Sequence, residues 1–149
     1  PIEVYLASCS IRGTIETPHP RVSDHLGAPD EVLRLSDARV ALRDGSHVGS
    51  DKTALINKTE ILFVVDLTPN PTGHLGFQVE RAPLEVTLNV GNIWLRGRAH
   101  LPVGGDIASF FTGAVNRFMA ITEATVVGNE QARPRTVIIN RDQLNCMLA

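Results

Sequence analysis

The sequence predicts a mainly β fold: two tandem small open β-barrel units, pseudo-two-fold related, each of about five strands plus one short helix. Three observations predict it. The stretch Thr136-Val-Ile-Ile-Asn-Arg-Asp-Gln-Leu144 has an earlier counterpart in Thr53-Ala-Leu-Ile-Asn-Lys-Thr-Glu-Ile61. Further echoes follow: Pro1-Ile-Glu-Val-Tyr-Leu6 in Pro83-Leu-Glu-Val-Thr-Leu88, Ile11-Arg-Gly13 in Leu95-Arg-Gly97, Pro18 in Pro102, and Leu35–Val40 in Ile121–Val126. The matches stand 82 to 86 residues apart, the separation expected of a duplicated structural unit. Finally, the apolar positions alternate in short runs broken by Gly, Pro and Asn, the mark of half-buried strands.

The units are read as residues 1–67 and 83–149, with 68–82 as the connection. Ile2 to Ala7 alternates apolar and polar side chains, and Ile11 to Thr17 continues as a second strand after a short turn. Gly13 and Gly97 fall inside strands, where a glycine marks strong bending or close backbone approach. Pro18-His-Pro20 ends the strand. Val22 to Leu26 reads as one helical turn with Ser23 as N-cap. Strands then follow over Glu31–Leu35 and Asp37–Leu42, with a hairpin turn at Asp44-Gly-Ser46. A polar loop is expected through Gly49 and Ser50. Lys52–Asn57, an Asn57-Lys58 turn and Glu60–Val65 complete the unit.

Thr68-Pro-Asn-Pro-Thr-Gly73 is turn-rich, with a short added strand expected at Leu75–Val79. The second unit repeats the order: strands over Leu84–Val90 and Ile93–His100, then a helix over Ile107–Thr112 capped by Asp106 and closed by Gly113. Strands over Arg117–Ile121, Glu123–Val127, Arg135–Asn140 and Gln143–Leu148 follow. A unit of this size has a marginal core alone, so the halves are expected to pack on each other or on further copies.

Composition narrows the function. Aromatic residues are only 5% of the chain against 43% hydrophobic, so aliphatic side chains build the core. A formal net charge of −2 argues against a general nucleic-acid binder, which needs a sizeable positive patch. No apolar run reaches the roughly 18 residues of a membrane span, no signal peptide is visible, and a cytoplasmic location is expected. Cys9 and Cys146 are too few for a disulfide framework and read as reduced, buried thiols.

Each unit resembles the Sm-like small β-barrel, a bent five-stranded antiparallel sheet with a short helix. Leu6, Ile11, Gly13, Ile15 and Val32–Ala38 are similar to its first motif, as are Leu88, Leu95, Gly97, Ala99 and Phe118–Ala124. Leu55–Ile61 and Ile138–Leu144 are similar to the second. In three respects the chain departs from the family. The helix falls between the second and third strands, the turns read Asn-Lys and Asn-Arg instead of Arg-Gly, and the RNA-contacting Asp and Asn are matched only by Asn116. Small-barrel bacterial proteins without an assigned role resemble the units equally.

The candidate ligand-binding residues are the paired turns Asn57-Lys58 and Asn140-Arg141. There Asn could read a base edge and the cation hold a phosphate. The alternative is that Asn supplies a positive φ in a two-residue turn with a solvated base beside it. Arg12 and Arg96, which precede the strand glycines, form a second basic pair or else bond Glu3, Glu16 or Glu85 across strands. Arg133 and Arg135 add local positive charge. His19, His25, His47, His74 and His100 lack metal-ligand spacing, so neither a metal nor a cofactor is expected. No nucleophile elbow or Gly-rich phosphate loop is present. The expected function is a non-enzymatic interaction or assembly module that pairs through edge strands, with a protein partner or a second copy. RNA or nucleotide binding at the turns is the alternative, and an enzyme with a site between the repeats the weaker one.

Overall fold

The computed structural model describes residues 1–15, 22–67, 82–101, 107–108, 111 and 117–149. In order these form β1 (Ile2–Tyr5), β2 (Cys9–Ile15), α1 (Val22–Gly27), β3 (Val32–Leu42), β4 (His47–Asn57), a 3₁₀ turn (Lys58–Glu60) and β5 (Phe63–Asp66). Then come β6 (Ala82–Val90), β7 (Ile93–Leu101), β8 (Phe118–Val126), β9 (Arg135–Asn140), a second 3₁₀ turn (Arg141–Gln143) and β10 (Leu144–Leu148). Pro18, Pro102, Asn116, the connection and its expected strand, and most of the helix expected over 107–112 lie outside the described residues.

All ten strands join one open antiparallel sheet in the order β10-β6-β7-β8-β9-β5-β1-β2-β3-β4. The first half contributes β5-β1-β2-β3-β4 and the second β10-β6-β7-β8-β9, the same order five strands on. Among the described strands the halves exchange none. They meet where β5 pairs β9 through Phe63↔Ile139, Val64↔Ile138 and Val65↔Val137. Among the described strands β4 and β10 are the free edges.

Register makes the correspondence between halves specific and corrects one echo. Ile2 faces Gly13 and Val86 faces Gly97, so pairing equates Ile2 with Val86, not with the Leu84 that the Pro1/Pro83 match suggests. Other echoes among the described residues coincide with ladder positions. Val40 and Val126 face Ile11 and Leu95, while Asn57 and Asn140 face Val32 and Phe118.

The expected interruption of the third strand is a kink instead of a break. β3 and β8 each run through, with Asp37 at φ 50° and Glu123 at φ 51°. Both ladders slip in register there, between Arg12 and Thr14 and between Arg96 and Arg98. Gly13 and Gly97 sit at the slips because the kinked strand comes too close for a side chain. A Cβ at Gly13 would meet Ser36 O at 2.9 Å, and one at Gly97 would meet Thr122 O at 2.9 Å and Ile121 Cγ2 at 2.7 Å.

Two other expectations are corrected. Gly49 and Ser50 belong to β4, not to a polar loop: the Asp44-Gly-Ser46 hairpin turn starts the ladder at His47, and the strand continues through a register slip between Val48 and Lys52. Gly45 takes φ 90° there, and Asp44 Oδ1 accepts from the Ser46 amide at 2.8 Å. α1 begins at Val22, which puts Ser23 inside the helix instead of at its cap.

The core has two aliphatic clusters sewn together by β5. Phe63 and Val65 pack with Val86, Leu88, Leu95, Ile121 and Ile139, while Val64 packs with Val4, Leu35, Ile56 and Ile138. Strand alternation sends successive β5 side chains to opposite faces, so this strand completes both clusters. Tyr5 joins in at the seam, its ring 4.5 Å from that of Phe63. Burial pushes its hydroxyl above the ordinary 10.0, to about 12, helped by the Glu3 carboxylate that accepts its proton at 3.0 Å and opposed by Arg12.

Gly13→Ala and Gly97→Ala are expected to destabilise the protein by about 1–3 kcal/mol each, read as a lower urea midpoint; an unchanged midpoint would disprove the close-approach account. The raised Tyr5 pKa favours the folded state below pH 10.0, and this contribution is lost as pH rises toward about 12. Tyr5→Phe should therefore show a flatter fall in stability over that interval than the parent, measured by denaturation at each pH.

Candidate functional site

The two Asn-containing turns are the same local structure in different surroundings. Neither Asn uses a positive φ. Asn57 has φ −71° and Asn140 φ −86°, both extended, and each caps the 3₁₀ turn that follows. Asn57 Oδ1 accepts from the Thr59 amide at 3.1 Å and Asn140 Oδ1 from the Asp142 amide at 3.0 Å. This is why the sequence needs Asn here: a short amide carbonyl satisfies an amide left over at the start of the turn.

Their surroundings diverge because Asn140 lies at the β5–β9 seam and Asn57 at a free edge. Asn140 is fully buried. Its Nδ2 donates to Ile61 O at 2.9 Å, and its backbone amide donates to Leu62 O at 2.9 Å. Gln143 Nε2 reaches across the same seam to Thr59 O at 2.9 Å. Asn57, by contrast, is exposed.

Lys58 is not a solvated base. It is 2% exposed, and its Nζ donates to His25 O at 2.8 Å and Ala28 O at 3.1 Å, the carbonyls at the C-terminal end of α1. Burial lowers its pKa, against the opposing pull of Asp30 and Glu31. A buried cation at a helix C-terminus answers unsatisfied carbonyls and the negative end of the helix. Arg141, its counterpart, is half-buried. The structure thus assigns Lys58 and Asn140 to packing and leaves Asn57 and Arg141 at the surface.

The strand arginines hold acids. Arg12 Nη2 lies 3.7 Å from Glu3, an expected cross-strand partner. Arg96 pairs with Glu130 at 3.0 Å, not with Glu85, because the turn after β8 brings Glu130 over β7. His100 Nε2 meets Thr122 Oγ1 at 2.7 Å. Cys9 and Cys146 are free and half-buried instead of fully buried. Among the described residues no three His, Cys, Asp or Glu gather as a metal site, and no helix is long and apolar enough to cross a membrane.

What sequence reasoning missed is a residue pair beside these turns, at the same end of the seam. Arg117 Nη1 reaches Glu31 Oε1 at 3.4 Å, while its Nε stands 3.3 Å from Asp142 Oδ2. Its guanidinium lies 5.4 Å from the Phe118 ring centroid. The two residues precede β8 and β3, and their carbonyls accept from the Arg141 and Lys58 amides at 2.7 and 2.8 Å. Glu31 and Arg117 therefore occupy one position of the repeated strand order with opposite charge. No motif marks them; the signal was the echo itself, in which a reversal of charge at a matched site goes unscored.

Comparison with family models, curated proteins and solved structures returned no match.

Asn140→Ala leaves the buried Ile61 carbonyl without its Asn140 donor and uncaps the Asp142 amide, whereas Asn57→Ala opens its capped amide to water. The expected losses in unfolding free energy are about 2–3 kcal/mol for Asn140→Ala and about 1 kcal/mol for Asn57→Ala in the dilute protein. Equal losses in chemical denaturation would contradict the burial difference.

Proposed function

We infer that the chain is two copies of one Sm-like five-stranded unit, and that it is a non-enzymatic assembly module whose copies join head to tail, β4 of one to β10 of the next. The observation that carries this reading is that the β5–β9 seam joins the last strand of the first set to the fourth strand of the second. The two free edges are the remaining strands of those two kinds. β10 holds the place of β5, and β4 the place of β9.

Exposure supports the reading. Ile138 and Phe118 are 7% and 8% exposed in the seam, while Leu55 and Val32, which hold the same places at the β4 edge, are 61% and 46% exposed. On the other side Val65 is 8% exposed in β5, and Leu148, its counterpart in β10, is 56% exposed. Such edges present unpaired amides and carbonyls beside apolar side chains, which natural sheets cover or blunt. A second copy covers both at once. The seam's own register, carried over, gives Cys146↔Ile56, Met147↔Leu55 and Leu148↔Ala54. Contacts of this head-to-tail kind close into a ring when the rotation permits and otherwise extend as a filament.

Light scattering on the purified chain is expected to give a mass that is a multiple of 16.2 kDa, and Leu55→Asp, which places a charge in the new seam, to return it to a single chain. In a Cys9→Ser/Cys146→Ser background, Leu55→Cys with Met147→Cys should form disulfide-linked multimers on oxidation, since directly opposed antiparallel residues lie within disulfide reach. Moving one cysteine by a residue, Leu55→Cys with Leu148→Cys, should not. A wild-type chain that stays single at high concentration, or cross-linking indifferent to register, would sink the reading.

A further inference from the structure

We propose that in the assembled protein Arg117 is a two-sided clamp, holding Glu31 of its own chain on one side and Glu31 of the next copy on the other. The proposal rests on the head-to-tail reading and adds to it the pair that selects the partner's orientation and makes assembly sensitive to salt.

Glu31 and Arg117 stand at the same place in the two sets of strands, just ahead of β3 and β8. Across the internal seam these equivalent residues touch each other, Nη1 to Oε1, at 3.4 Å. A position that touches its own counterpart across one seam must do so across every seam built the same way. When β10 meets the next copy's β4, Arg117 takes the role that Glu31 has inside the chain, and the next copy's Glu31 takes the role of Arg117. Glutamate and arginine then alternate from unit to unit, each arginine between two glutamates.

The arginine itself has a donor to spare, which its covered Nη2 edge presents to a second carboxylate by turning outward. Its Nη1 serves Glu31, its Nε lies near Asp142 without the alignment to donate, and Nη2 is buried with no hydrogen-bond partner. A guanidinium offers donors on two edges and suits two carboxylates at once. The Glu31 side chain is 67% exposed within the single chain, so its carboxylate is open to a second arginine. Lys58 near Glu31 is taken up by the α1 carbonyls and Asp142 stays on the same side as Arg117, so neither replaces the missing partner. Identical units would place like charges together here; charge reversal between the two halves turns repulsion into attraction at every seam.

The test compares assembly by light scattering across a dilution series, at about 0.05 M and about 1 M salt, where screening shortens to about 3 Å. Arg117→Gln should still fold, because Glu31 is largely exposed and glutamine keeps a neutral polar side chain in the partly buried place of Arg117, and should assemble at least about fivefold more weakly than wild type at low salt, with the difference gone at high salt. Glu31→Arg alone, or Arg117→Glu alone, should weaken assembly further, and Glu31→Arg combined with Arg117→Glu should recover it. If Arg117→Gln and both reversals assemble as wild type does while Leu55→Asp still disperses the protein, the clamp is wrong and strand pairing stands. Failure of the combined reversal to recover what the folded single variants lose also overturns it. A wild-type chain that never assembles removes both ideas together.

Discussion

The backbone ladder between β5 and β9 is the constraint on which the rest of this molecule depends. β5 is a short strand, Phe63–Asp66, yet it is paired on both sides and packed on both faces. Its neighbours in the sheet are β1 and β9, and its alternate side chains enter two separate apolar clusters. Remove it and each half loses a wall of its core. A unit of this size buries too little surface to stand securely alone. The seam therefore does more than connect two finished domains: each half supplies side chains that the other needs, as Phe118 and Ile138 do for the cluster of the first half.

Much of this was legible in the sequence, and the illegible parts have physical reasons. The alternation in Ile2–Tyr5 and Leu95–Ala99, the strand glycines and the Asn turns each express a local rule, so the mainly β elements could be read. Register could not. Pro1-Ile-Glu-Val and Pro83-Leu-Glu-Val look alike, but a strand read by alternation matches its counterpart equally well when slid by two residues; only the cross-strand partner of Gly13 and Gly97 fixes the choice. Burial of Asn140 and Lys58 was also invisible. It comes from the pairing of strands distant in the chain and from a helix end that needs a cation, and neither leaves a pattern around the residue. The basic turn that looked like a ligand site is, at Lys58, a cap on α1.

The edges show how assembly can be encouraged along part of a strand and suppressed along the rest. β4 is much longer than the β10 that would meet it, running from His47 to Asn57 against Leu144 to Leu148. Its outer portion carries positive φ at Gly49 and Asp51 and slips in register against β3. Such irregularities twist a ladder away from a flat template, and charged residues there oppose further pairing. The stretch Ala54–Asn57 has no positive φ and carries the exposed Leu55. On the proposed assembly the pairing surface is thus limited to the length that β10 can fill.

On the proposed assembly, two seams of one geometry need not have one chemistry. The internal seam is formed within a single chain, where the tethered strands meet at high effective concentration. There it can use a fully buried amide, Asn140, and a side chain that reaches a backbone carbonyl, Gln143 to Thr59. The corresponding residues on the outer seam are Asn57 and Glu60, and the carbonyl that Gln143 finds inside becomes that of Asp142. A glutamate cannot donate where a glutamine does, and it sits near an aspartate. In the proposed assembly the outer seam would consequently draw less on buried hydrogen bonds and more on apolar contact and on the opposite charges of Glu31 and Arg117. A seam of that composition is weaker and answers to salt, which suits a contact that must form between separate molecules and be able to come apart.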